Sequence, residues 1–240
     1  MALKYRTEGF IFKKSARAEA DQTFAVFTKD FGKLELKAKA IRKITSKLRA
    51  DIDLFYLAEI EFIQGKNNKT LTDASKIDKF NSIIKNPESL AVAYQIADIL
   101  DSFLRGQEKD EKTFSLLNEI FYKLSEEKYQ AKNNRLLFQY FFWNFISLQG
   151  YKLEVYNCAS CQQKLDPGNI YFSGKEGGVI CKECINTDKD VQKINCDIVK
   201  ILRIILKKDW DTFSRLKVEQ PSLQLLSTIL DNALLSFCPI

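Results

Sequence analysis

Two cysteine pairs constrain this chain more than any other feature: Cys158-x2-Cys161 and, after nineteen intervening residues, Cys181-x2-Cys184, in a sequence with no histidine. Each pair has the spacing of one knuckle of a tetrahedral thiolate site, and their separation lies within the range read as zinc-binding. Four thiolates fill the usual Zn2+ shell. No position then stays open for water or a substrate carbonyl, so the expected ion, one per chain, is structural. The alternatives are four unrelated buried cysteines, which requires the double spacing by accident, and a redox CxxC.

The chain has 240 residues, long for one small core, so two domains or one with an inserted module are expected. Residues 1–20 mix Lys4, Arg6, Glu8, Lys13 and Lys14 with short apolar pieces and contain no export-type apolar run. The stretch from Leu136 to Leu148 is interrupted by Gln139 and Asn144 and is too short for a bilayer. The expectation is a reducing, cytoplasmic location with no membrane partner, and plain core thiols at Cys196 and Cys238.

Net charge is +6, and one segment accounts for the whole excess. Lys29, Lys33, Lys37, Lys39, Arg42, Lys43, Lys47 and Arg49 face only Asp30 and Glu35 in the same window. Such a run is either a solvated loop or a surface for a polyanion.

The first eighty residues read as five short strands: Tyr5 to Lys13, Gln22 to Thr28, Leu34 to Ala40, Leu54 to Ile63 and Thr70 to Ala74. In the third, Leu34, Leu36, Ala38 and Ala40 alternate with Glu35, Lys37 and Lys39. Turn residues at Asp30-Phe31-Gly32 and Gly65 to Asn68 separate the pieces. Five strands in this length suggest a small barrel. The five-stranded OB-fold is the barrel whose sheet face and loops bind oligonucleotides, which gives the basic segment a partner.

After residue 80 the period changes to that of helices. Pro87 opens the first, a second carries Phe114, Leu117, Ile120, Phe121 and Leu124, and a third runs from about Asn134 to Gln149. The third is apolar nearly all round and belongs at the centre of a helical core. A hairpin around Tyr171 to Gly178 joins the two CxxC pairs, and helices over Asp197 to Lys207 and Ser222 to Phe237 finish the chain. The fold class is therefore α+β: an OB-fold barrel over 1–80 and a helical domain over 81–240 with an inserted four-cysteine zinc module at about 155–188. The module is not basic, so bracing the helical domain is favoured over contacting nucleic acid.

These pieces together resemble a known family, the bacterial recombination mediator RecO, over essentially the whole chain. The resemblance rests on Glu8 to Lys13, Ala18 to Asp21, Phe27-Thr28 with Phe31-Gly32-Lys33, Ala38 to Lys43 running into Ser46 to Arg49, Leu148 to Tyr151, the two CxxC pairs and Gly177-Gly178. Their order and spacing carry it. The chain departs from the family pattern at Ala18 and Ala40, where glycine is usual, so differently shaped turns are expected there.

The resemblance implies a protein that binds single- and double-stranded DNA and anneals complementary strands. It further implies a role, with RecR, in loading a RecA-type recombinase onto strands coated by single-strand-binding protein, in the nucleoid. Sequence-independent phosphate contacts then fall to Lys33, Lys37, Lys39, Arg42, Lys43, Lys47 and Arg49. Tyr5 and Phe31 are candidates either for base stacking or for core packing. The resemblance also suggests that the C-terminal tail of single-strand-binding protein docks on the helical domain, with Arg135 as a candidate cation for its carboxylate or else a plain surface residue.

Enzymatic function finds little support. Without histidine there is no Ser-His or Cys-His pair, and no phosphate-binding G-x-x-x-x-G-K-[ST] loop is present. Glu59 and Glu61 share one strand face, where they either hold a divalent ion or form the solvent side of the strand. The remaining alternative is a zinc-stabilised structural or protein-interaction module that does not touch DNA.

Overall fold

The computed structural model describes residues 3–17, 19–66, 68–126, 134–187 and 191–237. Ala18 and Cys238 lie outside them. The chain forms two compact units, residues 1–134 and 135–240.

The first unit is built on strands β1 (Lys4–Ala16), β2 (Gln22–Thr28), β3 (Gly32–Ala38), β4 (Leu57–Gln64) and β5 (Lys69–Asp78), closed in the order β1-β2-β3-β5-β4. The β3–β5 contact is parallel and the others are antiparallel, which is the expected OB-fold barrel. Alternation works as read: Leu34, Leu36 and Ala38 point into the core while Glu35 is exposed. β3 ends two residues before the expected Ala40, because Ala40 turns left-handed at φ 54°. β5 runs further than expected because it pairs along the whole length of β4.

The same unit holds helices α1 (Asn81–Lys85), α2 (Pro87–Phe103) and α3 (Glu111–Ser125). The Asn86 side chain accepts from Ser89 N (2.9 Å) to cap α2, and Asp110 accepts from Thr113 N (3.0 Å) to cap α3. Phe10 of β1 meets Phe121 of α3 with ring centroids 4.1 Å apart, so these helices share a core with the barrel. The α2–α3 connection passes so close to Gly32 (φ 60°) that a Cβ there would lie 2.4 Å from the Glu108 carbonyl oxygen.

The second unit is organised around α4 (Asn134–Leu148), in which Leu136, Leu137, Tyr140, Phe141, Phe142, Trp143, Phe145 and Ile146 are all buried. Buried polar side chains in its middle turns are hydrogen-bonded. Trp143 Nε1 donates to Gln139 Oε1 (2.9 Å), and Asn144 Nδ2 donates to the carbonyls of Tyr140 (2.9 Å) and Ile205 (3.1 Å). Around it lie α5 (Cys196–Lys207), α6 (Trp210–Ser214) and α7 (Gln220–Phe237). A three-stranded sheet of β6 (Ile170–Ser173), β7 (Gly178–Cys181) and β8 (Gln192–Ile194) completes the unit in the order β7-β6-β8. The sequence pattern predicts neither α6 nor β8. Among the described residues no helix is long and apolar enough to cross a membrane.

Candidate nucleic-acid interface and metal centre

The eighteen residues between β3 and β4 make the basic loop, and its apolar residues explain its placement. Ile41 and Ile52 are buried in the barrel core and Leu48 packs against it. The loop therefore closes one end of the barrel. Its start is tied down by Asp21 Oδ1, which accepts from Ala40 N (2.8 Å), and by Ala20 O, which accepts from Arg42 N (3.1 Å). A 3-10 turn over Lys47–Ala50 follows.

Five of the seven cations expected at the interface lie on this loop: Lys39, Arg42, Lys43, Lys47 and Arg49. All five are exposed, and among the described residues none forms an intramolecular ion pair. Arg42 and Arg49 both line a cleft of about 320 Å³ whose one carboxylate, Asp53, is paired with Lys14. The other two cations are placed differently. The Lys33 side chain is only 17% exposed and its ammonium is held by Asp101, at 2.8 Å from Oδ1 and 2.9 Å from the carbonyl oxygen. Lys37 donates to Asn68 Oδ1. Partial loss of hydration and then the nearby Arg17 guanidinium lower the Lys37 pKa.

Tyr5 and Phe31 are packed, not free to stack. Tyr5 lies parallel to Phe62 at 5.3 Å, and Phe31 meets both rings edge-on at 5.5 and 5.6 Å. Glu59 and Glu61 are neutralised across the β1–β4 ladder, Glu59 by Arg6 (2.8 Å) and Glu61 by Lys4 (3.0 Å). They form the solvent side of the strand rather than an open pair for a divalent ion. Arg135 is exposed in the first turn of α4.

The metal centre is assembled by the β6–β7 hairpin and the loop before it. Cys158 and Cys161 sit on a turn closed by Gln162 N donating to Cys158 O (2.9 Å), with Gln162 left-handed at φ 60°. Cys181 ends β7, and Cys184 follows on the 3-10 turn Lys182–Thr187. The loop and hairpin are joined at Gly178, where a Cβ would lie 2.2 Å from Glu154 O, and Val179 N donates to that carbonyl (2.8 Å). All four Sγ atoms lie within 4.8 Å of one another, and Cys161 Sγ is 3.8 Å from Cys181 Sγ. Tetrahedral Zn–S bonds of about 2.3 Å give S···S edges of about 3.8 Å, so the cluster can hold a metal ion and is compatible with zinc.

The thiol chemistry points the same way. Burial opposes ionisation of Cys158, but backbone N–H groups of Cys161, Cys181 and Ser160 outweigh it and lower its pKa to about 6. Burial, Glu183 and the neighbouring sulfurs push Cys181 upward. Four crowded sulfurs cannot all ionise together without a cation between them. The module is fastened to its own unit by Trp143 against Phe172, ring centroids 5.7 Å apart, and by Arg203, which donates twice to Val155 O at 3.0 and 2.7 Å. Cys196 is half-buried rather than in the core, its thiol 3.3 Å from Pro167 O.

Comparison with known proteins agrees with this architecture. The family model described as Recombination protein O N terminal matches residues 1–80, and Recombination protein O C terminal matches residues 84–236. The chain belongs to the RecO family. A DNA repair protein RecO of Dehalococcoides mccartyi is 31% identical over 216 residues, covering 90% of this chain and 83% of the relative. One from Caldanaerobacter subterraneus is 29% identical over 89% of this chain and 84% of its own. One from Desulforamulus reducens is 23% identical over 94% and 86%.

Within this RecO fold, other residues join the basic surface without a signal in the linear charge run. Arg17 lies close enough to act on Lys37. Lys69 and Arg105 share a cleft of about 450 Å³ with Lys37. They come from three separated stretches, so only the folded barrel and its following helices bring them near β3.

Proposed function

We infer that this chain is a DNA repair and recombination mediator that binds single- and double-stranded DNA without sequence preference and anneals complementary strands. Together with RecR it helps to load a RecA-type recombinase onto strands coated by single-strand-binding protein. The observation that carries the reading is the loop from Lys39 to Arg49. It presents five exposed cations, none in an ion pair among the described residues, at the end of an OB barrel in a chain of the RecO family. An unpaired cation keeps its full charge for a phosphate and needs no exchange of partners.

RecO is a mediator family rather than a catalytic one, so the work is binding and alignment. Lys39, Arg42, Lys43, Lys47 and Arg49 supply sequence-independent affinity, and Lys37 extends the surface along β3. Lys33 joins only by giving up Asp101. A structural Zn2+ held by Cys158, Cys161, Cys181 and Cys184 braces the second unit, one ion per chain. Arg135, exposed on the same unit, is offered as the cation for the carboxylate tail of single-strand-binding protein. Such a protein works in the cytoplasm, at the nucleoid.

The test is annealing of complementary oligonucleotides precoated with single-strand-binding protein. The expected result is acceleration that rises with added protein and is lost when the loop cations are replaced by alanine. Binding without acceleration would reduce the protein to a passive DNA binder.

A further inference from the structure

The cation-bearing stretch of the basic loop, Lys39 to Arg49, carries three large aliphatic residues, and the fold treats one of them differently. Ile41 is buried in the barrel and Leu48 packs on it, whereas Ile44 between them is 91% exposed. Backbone geometry holds it there. Lys43 N donates to Ala40 O (3.1 Å) and Ser46 N donates to Lys43 O (3.0 Å), so two successive turns place Ile44 at the loop tip.

A single exposed aliphatic residue on a protein surface is ordinary. The surroundings of Ile44 are not. Arg42 and Lys43 precede it, Lys47 follows, and no Asp or Glu occurs between Glu35 and Asp51. An apolar tip set among unpaired cations suits a ligand that is itself an anionic chain with apolar faces. Single-stranded nucleic acid has this composition, with charged phosphates on one side and flat bases on the other.

We propose that Ile44 is an apolar wedge that packs against the face of an unstacked base while Arg42, Lys43 and Lys47 hold the flanking phosphates. Aliphatic side chains are used in this way by proteins that unstack base steps. The inference rests on the DNA-binding reading above and deepens it. An aliphatic contact covers only the face of a base and makes no hydrogen bond to it. The Watson–Crick edge therefore stays open to a second strand, as annealing requires.

The test compares the full-length protein with its Ile44→Ala and Ile44→Leu variants on a dT oligonucleotide and on a strand of equal length made of abasic residues. The expected result is that Ile44→Ala binds the dT strand about fivefold more weakly, the size of about one buried methylene group. Its salt slope should be unchanged, its affinity for the abasic strand unaltered, and Ile44→Leu should restore binding. Equal losses on both strands would overturn the proposal. So would unchanged affinity on both, including the case where Ile44→Ala instead loses binding to single-strand-binding protein, which would make the tip a protein contact. Failure of the wild-type protein to bind either strand is a separate result: it would remove the DNA-binding reading itself, and the wedge with it.

Discussion

Asp21 and Ala40 are locked together: the Asp21 carboxylate accepts the Ala40 amide proton at 2.8 Å, and Ala40 takes the left-handed conformation at φ 54°. This contact sets the direction in which the basic loop leaves β3. At Ala40, where the family resemblance makes glycine usual, alanine thus occupies the left-handed region that favours glycine. A left-handed alanine costs about 1 kcal/mol relative to glycine. Ala40→Gly should therefore raise the melting temperature by about 2–4 °C. A lowered melting temperature would mean that the turn is not under the strain its dihedral implies.

Asp101 answers to two lysines, Lys13 and Lys33. Burial opposes its ionisation, but the two ammonium groups outweigh it and hold the carboxyl below its ordinary value. A depressed carboxyl pKa contributes stability above the unfolded-state value and loses it as pH falls through the folded-state value. The carboxylate is about one-third exposed, so the contribution is about 1 kcal/mol after allowance for solvent screening. Urea melts of Asp101→Asn should show that deficit at pH 7, and the gap to wild type should begin to narrow below the ordinary carboxylate value and close only below the depressed folded-state value. A gap independent of pH would assign the loss to packing instead.

Metal removal should act on one unit only. The thiolate cluster and its links to Trp143 and Arg203 belong to residues 135–240, and binding of a structural ion contributes several kcal/mol to folding. Chelation, or Cys158→Ser, should abolish hydrogen-exchange protection at Val179 and Cys181 while β2 and β3 stay protected. Metal affinity should fall as pH falls, because the thiols must ionise to bind. Uniform loss across both units, or no loss at all, would contradict the bracing role.

Much of this was legible in the sequence because the informative residues are local. Period-two alternation located β3, Pro87 located the start of α2, and two CxxC spacings located all four sulfurs. What stayed hidden depends on tertiary partners. Nothing in the run of lysines distinguishes Lys33 from Lys39, since the difference is Asp101, sixty-eight residues away. The sequence leaves Tyr5 and Phe31 open between stacking and packing, and only Phe62, arriving from β4, decides for packing. The short β8 has too few residues for a pattern and exists because β6 offers it an edge.

The central claim, that unpaired cations of the β3–β4 loop grip phosphates, is tested most directly by the salt dependence of single-strand binding. With five cations engaged, log affinity should fall against log salt with a slope of about −3.5. In the variant with alanine at Lys39, Arg42, Lys43 and Lys47 it should flatten to about −0.7, with thermal stability nearly unchanged. A variant that keeps the wild-type affinity and slope would contradict the account.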